Sequence, residues 1–258
     1  MNHNPIGLFD SGIGGASVLK ELLPIMPNEK YLYFSDSAHN PYGEKEDAEL
    51  IVIAENNVQY LLSQNCKCIV IACNTASLKT TDYLRKKYMS VPIFAIEPAY
   101  KMVHDYAYEK PTIIMATKGT MESTKFNELF AKYDNHKTIL LPCPGLADII
   151  EEGDFEKINA YLEDILSPYT GKIENVVLGC THYAFIQKEI EKILGKVTFF
   201  YGAEALAKHV RNSLEQSNLL APENSQGAIQ FEDNSHKEGK AERFWNFIQR
   251  IKGEKGGN

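Results

Sequence analysis

Two cysteines hold the same position in two separate stretches of this chain. IVIACNTAS (69–77) is an apolar run that ends in Cys73, followed by Asn74, Thr75 and Ser77. VVLGCTHYA (176–184) ends the same way, in Cys180, Thr181 and His182. Asn, Thr and Ser are helix-capping residues, so the spacing predicts a helix starting at each turn. A helix N-terminus offers free backbone N–H groups and the positive end of the dipole. Both favour a thiolate and can bind a carboxylate. A free thiol has a pKa of about 8.5, and such a site can lower it. One activated cysteine reads as a nucleophile. Two equivalent ones read as an acid and a base: one takes a proton from a carbon, and the other delivers a proton to the opposite face. The stereocentre inverts, and the two thiols exchange roles with the direction of reaction.

Other groups near these stretches have polar or small-residue chemistry. Asp10-Ser11-Gly12 opens the run GIGG (12–15), whose glycines permit a tight turn and close backbone approach to a ligand. Asp10 reads either as a helix cap or as a carboxylate that orients a substrate ammonium or a catalytic thiol. His182 reads either as a structural polar residue or as an assistant to the neighbouring thiol. Cys66, Cys68 and Cys143 lack polar cap residues after them and read as small buried hydrophobes.

The elements that must position these groups alternate. Candidate strands are IGLF (6–9), YLYF (31–34), KCIVIA (67–72), VPIFAI (91–96), TIIMA (112–116), TILL (138–141), NVVLG (175–179) and VTFFY (197–201). Helical apolar spacing lies between them, as in 47–65. The alternation predicts an α/β fold with mostly parallel sheets, and the near-continuous apolar runs fit strands buried on both faces. Cys73 and Cys180 lie 107 positions apart. The same offset sets IGLFDSGIG (6–14) on IIMATKGTM (113–121) and YLYFSD (31–36) on TILLPC (138–143). Three strand-to-turn junctions thus align without a gap, which predicts two pseudosymmetric open α/β domains with the site between them. The expected division is 1–96 plus 208–258 for the first domain and 97–207 for the second. Ligands bind beyond the carboxyl ends of strands in open α/β sheets, where all these junctions fall. The tail carries a strand-like AIQFE and then an amphipathic helix at 241–251, with Phe244, Trp245, Phe247, Ile248 and Ile251. The closing KGEKGGN is expected to fray.

The formal net charge of −7 gives no electrostatic reason to expect nucleic acid or an anionic membrane as partner. No apolar run approaches the roughly 20 residues of a membrane helix. The N-terminus MNHNPIGLFD lacks a basic region followed by an apolar one, so a cytoplasmic protein is expected. An odd number of cysteines without a CxxC pair disfavours a disulfide framework or a thiol–disulfide enzyme. Ser17 stands where a dinucleotide fingerprint needs its third glycine, and no GK[ST] follows. No Cys/His spacing resembles a zinc site, and no phosphate cup accompanies Lys118, so no cofactor is expected.

IGLFDSGIGG (6–15), AHNPYGEK (38–45), IACNTAS (71–77), AIEPA (95–99), ATKGT (116–120) and LGCTHY (178–183) together resemble the glutamate racemases of the cofactor-independent aspartate/glutamate racemase superfamily. The resemblance implies two α/β domains, an interdomain site and Cys73 and Cys180 as the acid/base pair. Asp10 and His182 would assist them, with Glu151 of IIEEG (149–153) as a third helper, its register against Glu152 left open. Ser11, Pro41, Tyr42, Gly43, Asn74, Thr75, Thr117, Thr120 and Thr181 would hold the amino acid, together with Asp10 and His182. The resemblance also implies a homodimer acting on glutamate to supply D-glutamate for peptidoglycan. Aspartate or a hydantoin as substrate, and a non-catalytic amino-acid-binding protein, are the alternatives that the residues leave open.

Overall fold

The computed structural model describes residues 2–253 and the side chains up to Gln249. The side chain of Ile251 and residues 254–258 of the expected frayed end lie outside the described residues. Nine strands are described: β1 (Ile6–Asp10), β2 (Lys30–Ser35), β3 (Cys68–Ile71), β4 (Ile93–Ala95), β5 (Thr112–Ala116), β6 (Thr138–Pro142), β7 (Asn175–Gly179), β8 (Thr198–Phe200) and β9 (Ala228–Asp233). They form two sheets, ordered β4-β3-β1-β2-β9 and β6-β5-β7-β8. Every pairing is parallel. β1, β3, β5 and β7 are buried along their whole length, which is why they read as unbroken apolar runs.

The 107-residue repeat is a structural one. Shifted by that offset, β1, β2, β3 and β4 land within two residues of β5, β6, β7 and β8. The strand order is also the same in both sheets, since β4-β3-β1-β2 matches β8-β7-β5-β6. β9 has no counterpart in the second sheet. AIQFE thus adds a parallel edge strand beside β2, in register from Lys30↔Ala228 to Ser35↔Asp233.

This topology decides where a ligand can sit. From β1 the chain goes to β2 on one side, and then to β3 on the other. The crevice between β1 and β3 is the switch point where open α/β sheets bind ligands. Asp10 ends β1, and Cys73 follows β3. In the second sheet the corresponding switch lies between β5 and β7, where Thr117 and Cys180 follow the paired residues Ala116 and Gly179.

The largest apolar cluster spans both halves. It joins Ile6 and Leu8 of β1 and Leu19 of helix Ala16–Ile25 to Met115, Val176 and Tyr183 of the second half. Helix Ala203–Gln216 adds Val210 and Leu214, and the last helix, Lys240–Gly253, adds Phe244, Phe247 and Ile248. The final helix is thus docked on the core, with Phe244 stacked on Phe231 of β9 and Phe247 on Phe185. Among the described residues, no helix is long and apolar enough to cross a membrane.

Candidate active site between the strand ends of two sheets

The two halves meet around a cavity of about 80 Å³, bordered by Cys73 and Ser11 from the first half and by Cys180, Thr181 and His182 from the second. Each cysteine is 7% exposed, so each thiol touches the cavity from an otherwise buried position. The loop after β2 supplies Pro41, Tyr42 and Gly43, and Asn74, Thr75 and Thr117 complete this part of the wall. Asp10, Thr120 and Glu151 are buried behind it.

Cys73 is the N-cap of helix Asn74–Lys87, with extended backbone dihedrals, as the cap residues after it predict. Its sulfur makes no side-chain cap bond to the helix, lies 4.0 Å from Ser11 Oγ, and feels the Ala76 N–H dipole. The expected lowering of the thiol is not what the surroundings produce. Burial pushes the Cys73 thiol well above its ordinary range, the nearby Asp10 carboxylate pushes the same way, and the Ala76 and Ser11 contacts only oppose them. Cys73 is therefore a thiol in this state.

Cys180 differs. The residues after it form a 3₁₀ turn, Thr181–Ile186, and an α-helix starts only at Gln187. The helix expected after Cys180 thus starts there, but as a 3₁₀ helix with Cys180 as its N-cap. The tighter winding, with Tyr183 N–H bonded to Cys180 C=O, keeps Thr181 and His182 on the buried side. A charged side chain takes the place of the helix dipole. His182 Nδ1 faces Cys180 Sγ at 3.7 Å, and His182 Nε2 lies 2.9 Å from Glu151 Oε2. Burial alone would neutralise this imidazole, but Cys180 and Glu151 outweigh it and hold His182 protonated well above its usual range. Burial would likewise raise Glu151, yet His182 and Lys240 bring it down to about 2. Glu151 is 5% exposed, whereas Glu152 on the next position of helix Leu146–Glu152 points to solvent.

Asp10 bridges the halves. Its carboxylate accepts from the Ser11 and Gly15 N–H groups at 2.8 and 2.5 Å and from Thr181 Oγ1 at 3.2 Å. Burial raises its pKa, against the pull of His182 and these donors. The hydroxyls of Thr75, Thr117 and Thr120 lie within 2.9–3.1 Å of one another, joining helix Asn74–Lys87 to the turn after β5. Tyr42 borders the cavity, but its hydroxyl donates to Asp36 and accepts from Asn57 Nδ2, so it anchors the loop. Asn74 is 2% exposed, and neither its Oδ1 nor its Nδ2 has a hydrogen-bond partner among the described residues. A buried amide with both ends free beside a cavity is a group prepared for a ligand.

The glycines of GIGG serve a different close approach from the one their sequence predicts. A Cβ on Gly12 would lie 2.1 Å from Glu151 Oε2, and one on Gly14 would lie 2.4 Å from His182 Nδ1. Their bareness lets the first half receive these side chains. Cys143 is buried, as read, but it also borders the cavity, and burial pushes its thiol up to about 12. Two polar residues were not singled out in the sequence. Lys240 lies 89 positions from Glu151 yet pairs with its Oε1, and Asn40 donates to Asp148 Oδ1 across the halves at 2.6 Å. Lys240 carries no local motif, and although Asn40 lies within AHNPYGEK (38–45), only the folded chain shows its partner.

Two doubly wound halves that each present a thiol to one shared cavity define an α/β isomerase of the proton-transfer kind. The chain belongs to the Asp/Glu/Hydantoin racemase family, whose pattern matches residues 30–210. It is 41% identical over 234 residues to a glutamate racemase of Clostridium perfringens, covering 89% of this chain and 90% of that protein. Its fold is similar to that of the Francisella tularensis glutamate racemase solved with D-glutamate, with a TM-score of 0.82 and 29% identity over 96% of this chain and 95% of that one. The Escherichia coli glutamate racemase solved with L-glutamate and the activator UDP-MurNAc-ala gives a TM-score of 0.84 and 28% identity, covering 96% and 95%.

Proposed function

We propose that this protein interconverts L- and D-glutamate without a cofactor, using Cys73 and Cys180 as its acid/base pair. The observation that carries the reading is the presence of these two thiols on the wall of one cavity, one from each pseudosymmetric half. In one direction, Cys180 sulfur, facing the His182 imidazolium, takes the α-proton. Cys73 then gives its thiol proton to the opposite face of the same carbon. The protein ends with the proton on Cys180 and the negative charge on Cys73, which is the starting state for the reverse reaction. Asp10, hydrogen-bonded to Thr181 and beside Cys73, serves the first thiol, while His182 and Glu151 serve the second.

The α-proton of an amino acid is only weakly acidic, so the carbanion needs donors fixed around its carboxylate. Asn74, with a free buried amide, Ser11, and the hydroxyls of Thr75, Thr117, Thr120 and Thr181 fill that role, and the Pro41-Tyr42-Gly43 loop closes over the substrate. The partition of β1–β4 and β9 against β5–β8 supports a division into 1–96 plus 208–258 and 97–207, with helix Ala203–Gln216 running across the second boundary. We place the protein in the cytoplasm, as a homodimer that supplies D-glutamate for peptidoglycan, in keeping with its relatives.

The test follows chirality and α-deuterium together during incubation of L-glutamate in D₂O, with aspartate in a parallel reaction. Cys73→Ala and Cys180→Ala should each abolish racemisation while leaving each variant able to exchange the α-proton of one enantiomer. Normal turnover in either variant overturns the two-thiol mechanism, and preferred turnover of aspartate overturns the substrate.

A further inference from the structure

The acid/base machinery is not symmetric, although the sheets that hold it are. Cys73 lies 4.0 Å from the uncharged Ser11 hydroxyl, and the carboxylate that acts on it is Asp10. Cys180 instead borders a string of charged side chains: its sulfur faces His182 Nδ1, His182 Nε2 faces Glu151 Oε2, and Glu151 Oε1 pairs with the Lys240 ammonium. Lys240 opens the last helix, Lys240–Gly253, just after Gly239, whose positive φ of 76° turns the chain into it. At 8% exposure it is among the few buried lysines. A buried cation without a structural or catalytic purpose is costly. Among the described residues its ammonium pairs with the Glu151 carboxylate, and Lys240 does not border the cavity.

We infer that Lys240 is a positioning residue for the Cys180 half of the reaction: its ammonium fixes the Glu151 carboxylate, which fixes His182 against the Cys180 sulfur. The inference rests on the racemase reading above. The C-terminal helix thereby becomes part of one half-site of the enzyme as well as part of its core. Geometry gives the reason why the ammonium is needed. Glu151 Oε2 lies 2.1 Å from where a Gly12 Cβ would be, so the residue it packs against offers no side chain to hold it. With His182 bonded to one oxygen, the other oxygen is free to swing unless a second cation fixes it. A carboxylate that rotates carries the imidazole away from a 3.7 Å contact with sulfur that has little reach to lose.

Other charged or titratable groups face this string. Asp10 acts on it from β1, and Asp148 from the same helix as Glu151. Tyr33 of β2 is close enough to feel Glu151, and Tyr201, Tyr183, Cys143 and Cys73 are close enough to feel Cys180. All of these are acidic or neutral groups, so Lys240 is the cation that balances Glu151 from outside the His182 pair. Removing it leaves the string more negative, and negative surroundings favour protonation. The acid limb of the rate profile must then move to higher pH.

The experiment compares wild type, Lys240→Met, Lys240→Gln and Lys240→Arg, with thermal melting as the check on folding. L- and D-glutamate turnover is followed across the pH range. Lys240→Met should lower kcat/KM by about tenfold and shift the acid limb upward by about half a pH unit or more, with Lys240→Arg close to wild type in both. In a Glu151→Gln background, Lys240→Met should cost nothing further, because the residue it holds has lost its charge. If Lys240→Met fails to fold, Lys240→Gln carries the same two outcomes. A folded variant with an unmoved acid limb, or an equal loss in the Glu151→Gln background, overturns the proposal. Wild-type protein that does not racemise glutamate fails the earlier reading instead, so the two failures are distinct.

Discussion

His182 and Glu151 meet with a 2.9 Å contact between Nε2 and Oε2, and both side chains are nearly withdrawn from water. Thirty-one positions separate them, and the contact joins the turn after β7 to helix Leu146–Glu152. It is the point at which structure and chemistry coincide, because the other ring nitrogen of the same imidazole faces Cys180.

The pair makes stability depend on pH in a defined direction. Glu151 is lowered in the folded chain, from an ordinary 4.5 to about 2. A depressed carboxylate stabilises above its unfolded value, and that stabilisation is lost as pH falls through the folded value. His182 is raised, so its contribution is complete below its unfolded value of 6.5 and is lost only as pH rises through a folded value well above that. Between about 4.5 and 6.5 both contributions are present. Glu151→Gln should therefore cost on the order of 3–4 kcal/mol in this window, at about 1.4 kcal/mol per pKa unit over the fall from 4.5 to about 2. The cost should shrink steadily as pH falls from 4.5 toward 2. Urea midpoints of the two proteins between pH 3 and 6.5 measure it, and a cost that stays constant with falling pH would contradict the coupling.

Gly14 is where a single methyl should reach the chemistry without touching substrate. An added Cβ would lie 2.4 Å from His182 Nδ1 and 2.6 Å from Thr181 Oγ1. Gly14→Ala must displace the imidazole or the loop, and either movement breaks the contact with Cys180. Overpacking of this kind costs about 1–3 kcal/mol of stability, but the catalytic loss should be larger, on the order of a hundredfold in kcat/KM. Turnover assays with a parallel melting curve decide it. Wild-type kcat/KM in a folded Gly14→Ala protein would show that the position of the imidazole is unimportant.

Gly14 also shows where the sequence ceases to speak. The strands were legible because parallel strands buried on both faces leave unbroken apolar runs, and β5 and β7 match TIIMA and NVVLG at both ends. The repeat was legible because each half places polar residues just beyond those runs. GIGG announced a close approach but not by what, since nothing in 12–15 encodes Glu151 or His182. The charge that supports Cys180 was hidden for a similar reason. Helix periodicity tells which face of 146–152 is inside, but a pairing across 89 positions, as between Glu151 and Lys240, leaves no local pattern. The helix expected at Cys180 starts in 3₁₀ form, because cap residues such as Thr181 also begin 3₁₀ turns, and its side chains contact Asp10 and Glu151 there.

Asn74 separates stability from binding most clearly. Its amide is buried, yet neither Oδ1 nor Nδ2 is hydrogen-bonded. An unsatisfied buried polar group costs about 1–3 kcal/mol, so Asn74→Ala should leave the ligand-free protein as stable as wild type or slightly more so. Binding should show the opposite. A substrate carboxylate that gains a hydrogen bond from the Asn74 amide gains about 1.5–3 kcal/mol from it, so its loss should weaken glutamate binding by roughly tenfold to a hundredfold. At a glutamate concentration about 100 times the wild-type Kd, binding adds about 2.7 kcal/mol to the stability of the wild type. For a chain of this length that is a rise in Tm of about 5–10 °C. In Asn74→Ala roughly half of this rise, or more, should disappear, while the melting temperature without glutamate holds or climbs. If the variant instead melts lower without ligand and keeps the full ligand-induced rise, Asn74 is part of the scaffold, and the amide beside Cys73 has no share in holding the substrate.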